Sequence, residues 1–400
     1  MDEPRIDRRS FLIGGAALAG GAAAALAGRA AWEATRPDQT NTELGTATAA
    51  CHGPRQAGVD GDPQAFATFV AYDLLDVDRP ALVRLMRIWT DDIARLTRGT
   101  PALADTEPEL AQVPARLTVT LGLGPGFFAA ADLEAQRPDW LAPLPGFGID
   151  RLQEAWCDGD LVLQVCADDP VTVAHTVRMM TKDARTFVRT RWTQTGFRRA
   201  AGTTPPGTTM RNLMGQVDGT RNLVPGQDDA LIWHDGTAPA WLAGGTSMVV
   251  RRIAMDLDTW DRLDRAGREA VVGRRLDTGA PLTGVHERDE PDLDALDPLG
   301  FPVIDTVAHI RRARSDDPSQ RFLRRGYNYD DPPPPGQTSN SGLVFVAFQR
   351  DPLRQFVPIQ ARIDQVDLLN QWTTPIGSAV FAVPGGCETG QYLTQQLLEG

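Results

Sequence analysis

"LVLQVCADDPVTVAHTVRMM", residues Leu161 to Met180, is an apolar run, an Asp-Pro pair and an amphipathic stretch in that order. It reads as a buried strand, a helix start and a helix. Asp169 accepts from free N–H groups at the helix start, and Pro170 fits the first turn, where its missing N–H costs nothing. The arrangement recurs. "FATFVAYDLLDVDRPALVRLMRIW" (Phe66–Trp89) turns through Asp78 and Pro80, and "SMVVRRIAMDLDTWDRL" (Ser247–Leu263) through Asp256 or Asp258. "LVFVAFQRDPLRQFVPIQARI" (Leu343–Ile363) turns at Asp351 and Pro352. These aspartates read as caps, not catalysts. Two units in each half make a duplicated α+β architecture, each half an antiparallel sheet with helices packed on one face.

The halves are expected at residues 51–210 and 211–400, after a signal over 1–30 and a polar linker over 31–50. Arg8 and Arg9, then Ser10-Phe11-Leu12 and a Gly/Ala-rich run to Ala27, have the layout of a twin-arginine leader. The run is short for a membrane anchor and diluted with glycine, and no other stretch suits a bilayer crossing. Cleavage is expected between Ala25 and Ala31. This route carries folded proteins, often with a cofactor aboard, to the periplasm, the cell envelope or the exterior. A formal charge of −12 excludes a basic nucleic-acid-binding surface. Cys51, Cys157, Cys166 and Cys387 form no CxxC, zinc or CxxCH spacing, and their pairing is not readable.

Between the halves lies a long Gly/Pro/Thr/Asn-rich connection, Thr203–Ala230, containing "RNLMGQVDGTRN" (Arg211–Asn222). Asp218-Gly219 is by itself an ordinary turn dipeptide. The stretch nevertheless resembles the GxxDG signature of dye-decolorising peroxidases, a haem b family. Downstream follow "GAPLTG", "AHIRRAR", "LRRGYNYD", "GLVFVAFQRDPLRQFVPIQ" and "GSAVFAVPGG" in that family's order; upstream, "GPRQAGV", "LTVTLGLGPGFF" and "DLVLQVCADDP" match too. The resemblance spans roughly Gly53 to the C-terminus. It looks closest to the exported branch that includes deferrochelatase/peroxidases, and implies paired ferredoxin-like halves with a haem pocket in the C-terminal half.

The resemblance implies the site residues. Of five histidines, His309 in "AHIRRAR" matches the iron ligand, while His52 and His175 look structural. Its second ring nitrogen calls for a carboxylate or carbonyl partner that the sequence does not identify. Asp218 moves a proton between peroxide oxygens, and the glycines beside it, Gly219 among them, let the backbone pass close to the porphyrin. Arg324 is the stabilising charge, with Arg325 the fallback. Arg311 is placed as a haem propionate partner. Leu343 and Phe345, alternating on one strand face, line the distal pocket or the plain core. Arg55 stands where relatives often carry His. Tyr327, Tyr329 and Trp372 are candidate electron relays.

The expected activity is that of an exported peroxidase with one haem b per chain. It reduces hydrogen peroxide through a ferryl intermediate and oxidises bulky aromatic, dye-like donors by one-electron steps. Two alternatives stand beside it: a haem-handling deferrochelatase in iron uptake, and an exported non-redox small-molecule-binding protein. The physiological donor, envelope iron or copper partners and homo-oligomerisation are left open.

Overall fold

Asp78 and Asp169 each cap a helix as their spacing predicts, accepting N–H groups of Ala81 at 2.9 Å and Thr172 at 2.8 Å. Such a cap contributes about 1 kcal/mol. In this computed structural model, which describes residues 43–237 and 239–400, the first half runs β1 (Phe66–Leu74), α1 (Arg79–Leu96), β2 (Thr118–Leu123), β3 (Leu161–Ala167), α2 (Pro170–Ala184) and β4 (Val188–Phe197). The leader and the first part of the linker, residues 1–42, lie outside the described residues. The linker's end is fastened: Gly45 and Ala47 carbonyls accept from Ala115 and Arg116 N–H at 2.9 and 2.6 Å.

The strands are antiparallel in the order β4–β1–β3–β2. Leu82, Leu85, Met86, Trp89, Ile93 and Leu96 put a buried stripe of helical period along α1. It packs with Val70, Leu163 and Met179 into one core.

The second half contains β5 (Thr246–Met255), α3 (Arg265–Val272), α4 (His309–Arg312), β6 (Leu323–Arg324), β7 (Tyr327–Asp330), β8 (Ser341–Gln349), α5 (Phe356–Val366) and β9 (Thr373–Val383). Its main strands stand in the order β9–β5–β8–β7, repeating the first half's fourth-first-third-second arrangement. The duplication is therefore present in topology, and the fold is α+β with two ferredoxin-like halves. The two sheets join through single backbone pairs, Leu123↔Ala382 and Phe197↔Asn328. Phe69, Trp192, Tyr327, Phe348 and Phe381 fill a second core.

Asp351 departs from its expected role, and Asp256 fills its own on a shorter helix. Asp351 accepts from Leu353 N–H at 2.9 Å in a turn, and α5 begins only at Phe356. Asp256 caps a four-residue helix, Leu257–Trp260, while α3 starts after a separate cap, Asp264. An Asp-Pro pair marks a turn as readily as a helix start. Among the described residues no helix is long and apolar enough to cross a membrane, and all four cysteines are free thiols.

Candidate active site

The outer face of the second sheet, α4, α5 and the Asp218 loop enclose a cavity of about 660 Å³. That size falls within the usual range for small-molecule and cofactor sites. Met214, Ile253, Met255 and Ile359 line it, joined by Leu343 and Phe345 from alternate positions of β8. Both candidate wall residues thus face the cavity.

His309 opens α4 and lines the cavity. Its Nδ1 lies 2.6 Å from Asp367 Oδ2, and the other oxygen of that carboxylate accepts Leu369 N–H at 2.9 Å. Burial pulls the His309 pKa down, but the charge and hydrogen bond of Asp367 outweigh it, and the net shift is upward. With Nδ1 committed to the carboxylate, Nε2 is the nitrogen left to bind a metal. Although enclosed, 32% of the His309 side chain is exposed, facing the cavity void.

Asp218 and Arg324 meet in the same cavity, with Arg324 Nη1 donating to Asp218 Oδ1 at 3.0 Å. The loop is shaped to deliver the carboxylate. Asn212 Oδ1 accepts Met214 and Gln216 N–H at 3.1 and 3.2 Å, Arg211 pairs with Val217, and Asp218 N–H donates to Met210 O at 2.8 Å. Gly219 lines the cavity at φ 129°, a conformation that disfavours a side chain. The "GAPLTG" stretch buttresses this loop: a Cβ on Gly279 would lie 2.8 Å from Val217 Cγ2.

Arg325 is elsewhere. It is 2% exposed and donates to Gly61 O and, at 2.6 Å, to Gln64 Oε1. Strand alternation separates the two arginines.

Arg311 corrects an expectation. Its guanidinium donates to Leu293 O at 2.5 Å and Ile304 O at 2.8 Å, tying a loop to α4 instead of facing the cavity. Arg221, Arg274, Arg314 and Arg321 line the cavity instead. Arg274 is buried, which lowers its pKa, and it donates to the carbonyls of Gly279 and Glu287 at 2.7 and 2.9 Å. Arg221 and Arg314 share Glu290.

Among the other candidates, His175 pairs with Asp105 at 2.8 Å inside the first half, and Arg55 pairs with Asp229 at 2.7 Å over Trp233. Tyr327 and Tyr329 are buried, 0% and 1% exposed, which is poor placement for meeting a bulky donor. Trp372 is half-buried and meets the fully buried Trp260 edge-on at 5.3 Å; Trp260 packs with Met214, Met255 and Leu343 of the cavity wall.

A carboxylate-backed imidazole, apolar walls and several arginines suit a flat apolar macrocycle with two carboxylates, as in haem. Asp367 and Arg274 carried no signal in the sequence, since nothing local marks either as a partner of the site.

The family model described as Dyp-type peroxidase, N-terminal matches residues 56–198, and that described as Dyp-type peroxidase, C-terminal matches residues 209–388. A dye-decolorizing peroxidase of Thermobifida fusca (strain YX) is 40% identical over 100% of both chains. A deferrochelatase of Escherichia coli (strain K12) is 34% identical over 100% of this chain and 98% of its own. The crystal structure of a DyP-type peroxidase from Cellulomonas bogoriensis matches with a TM-score of 0.88 at 61% identity, covering 89% of this chain and 99% of the other. Ferric DtpA from Streptomyces lividans matches at 0.87 and 41%, covering 90% and 100%. With both halves matched and relatives alike along their whole length, the chain belongs to the Dyp-type peroxidase family and is a haem-dependent peroxidase.

Proposed function

We propose that this enzyme reduces hydrogen peroxide with Asp218 as proton carrier and Arg324 as charge stabiliser, and oxidises bulky aromatic donors one electron at a time. The observation that carries the reading is the 3.0 Å Asp218–Arg324 pair in the cavity that His309 lines. His309 would bind the iron through Nε2, with Asp367 raising its basicity. Arg314 and Arg221, which line the cavity, would meet the propionates. Haem b, one per chain, would supply the redox chemistry, accepting two electrons' worth of oxidation from peroxide and returning it in single steps.

Asp218 takes a proton from one peroxide oxygen and returns it to the other, so that the O–O bond breaks with water leaving. Arg324 keeps its charge in the cavity and stabilises the departing oxygen. A bulky donor is excluded from the cavity, and its electron enters through Trp372 and Trp260. Export by the twin-arginine route, to the periplasm, envelope or exterior, rests on the Arg8-Arg9 leader. Envelope iron or copper partners and homo-oligomerisation belong to this wider proposal.

The test is the Soret band of haem-loaded protein mixed with peroxide. The wild type should respond within the mixing time, Asp218→Asn and Arg324→Leu should be slowed at least a hundredfold, and His309→Ala should lose the native Soret band. Equal rates in wild type and both distal variants would sink the assignment. A second reading, iron removal from haem, is favoured by the relatives named deferrochelatase. Recovery of intact iron-free porphyrin after incubation with haem would support it, and its absence would leave the peroxidase reading alone.

A further inference from the structure

Asn222 closes the stretch that carries Asp218, and its side chain reaches Arg324. Asn222 Oδ1 accepts Arg324 N–H at 2.7 Å, and Asn222 Nδ2 donates to Arg324 O at 2.8 Å. Both polar groups of one peptide position are thus held by one carboxamide. The reason lies in the pairing of β6. This strand has two residues and pairs only with β8, through Leu323↔Phe348 and Arg324↔Ala347. Arg325 N–H donates to Val346 O at 2.9 Å, toward β8. By strand alternation, the N–H and C=O of Arg324 point the other way, where no strand lies. Unsatisfied, they would loosen the backbone from which the guanidinium springs.

We infer that Asn222 is a positioning residue of the peroxide site, clamping the Arg324 backbone like a neighbouring strand and so fixing where the guanidinium points. The inference rests on the assignment of Arg324 as the charge that meets peroxide. It assigns a task to the last residue of the Asp218 loop. That loop touches Arg324 twice, once side chain to side chain through Asp218 and once side chain to backbone through Asn222. When Asp218 takes up a proton its attraction for the guanidinium weakens, and the backbone clamp keeps Arg324 in place through that step.

The experiment uses ferric, haem-loaded protein with fluoride as the probe, because a distal donor holds the bound anion, together with the rate of the peroxide-induced Soret change. Asn222→Ala should weaken fluoride binding and slow the peroxide reaction by about tenfold each, the effect of one misplaced hydrogen bond. Asn222→Asp keeps the shape and serves where the alanine variant folds poorly. Its carboxylate accepts from Arg324 N–H but repels Arg324 O, and on protonation it donates again. Its peroxide rate, divided by the wild-type rate at each pH, should therefore rise as pH falls. In an Arg324→Leu background, Asn222→Ala should change neither readout further. Fluoride affinity and peroxide rates within twofold of wild type in both Asn222 variants, with Arg324→Leu impaired, would overturn the clamp alone. Arg324→Leu indistinguishable from wild type would overturn the assignment of Arg324 and the clamp with it.

Discussion

Arg324 and Arg325 are consecutive residues, yet Arg324 reaches Asp218 at 3.0 Å in the cavity and Arg325 reaches Gln64 of the other half at 2.6 Å. The adjacent arginines therefore do separable jobs. Arg324→Leu should cost about 10² to 10³ in the peroxide reaction while the protein melts near its normal temperature. Arg325→Leu leaves Gln64 and the Gly61 carbonyl without their buried donor and should lower stability by about 2 to 4 kcal/mol. The refolded fraction should react with peroxide normally. Calorimetry beside stopped-flow spectroscopy checks both, and a swap of the two phenotypes would refute the assignment.

Asp367→Asn keeps the size of the group behind His309 but removes its charge. Haem affinity should fall about 10- to 100-fold, and the ferric/ferrous potential should rise because the imidazole becomes a weaker donor. Haem titration and spectroelectrochemistry measure the two effects. An unchanged potential would mean that Asp367 only orients the ring.

Trp372→Phe should slow oxidation of a bulky dye severalfold and leave the first, peroxide-dependent Soret change untouched. The proposed route uses the 5.3 Å contact between Trp372 and Trp260, so Trp260→Phe should have the same signature. Equal dye turnover in wild type and both variants would remove the tryptophan route.

Asp92 on α1 is 3% exposed, with Oδ2 lacking a partner. Burial first, then the charges of Asp183 and Asp91, push its pKa up to about 7. The folded state holds this proton more tightly than the unfolded state. Stability is therefore greatest below the unfolded value near 4 and is lost as pH rises to about 7. Asp92→Asn removes that loss. Its stability relative to wild type should grow across this window, by on the order of a few kcal/mol, and level off above it. Chemical denaturation at several pH values decides; a constant difference would show that Asp92 does not titrate there.

What the sequence revealed and what it hid follow one physical division. The Asp78 and Asp169 caps and the apolar strand runs are local, so a single stretch declares them. The order of short motifs points to His309, Asp218 and Arg324, and the three line one cavity. Asp367 is 58 residues from His309, and Asn222 is 102 residues from the backbone it clamps; neither partnership leaves a mark in its own neighbourhood. Arg311 was misplaced for a geometric reason. Two residues along a helix turn a side chain by about 200°, so a residue two positions beyond His309 points away from it in space.

Finally, the single pairs Leu123↔Ala382 and Phe197↔Asn328 have a consequence for solubility. Each joins an outer strand of one sheet to an outer strand of the other, β2 to β9 and β4 to β7. An open strand edge offers unpaired N–H and C=O groups to any passing chain, and so invites aggregation. Here one end of each outer strand meets the other repeat, through a single backbone pair at each seam. Cut between residues 198 and 209, the two pieces would each bare two such margins together with the apolar face around Phe69 or Phe381. The duplication thus makes the repeats mutual guardians against self-association, and neither is suited to life as a portable module.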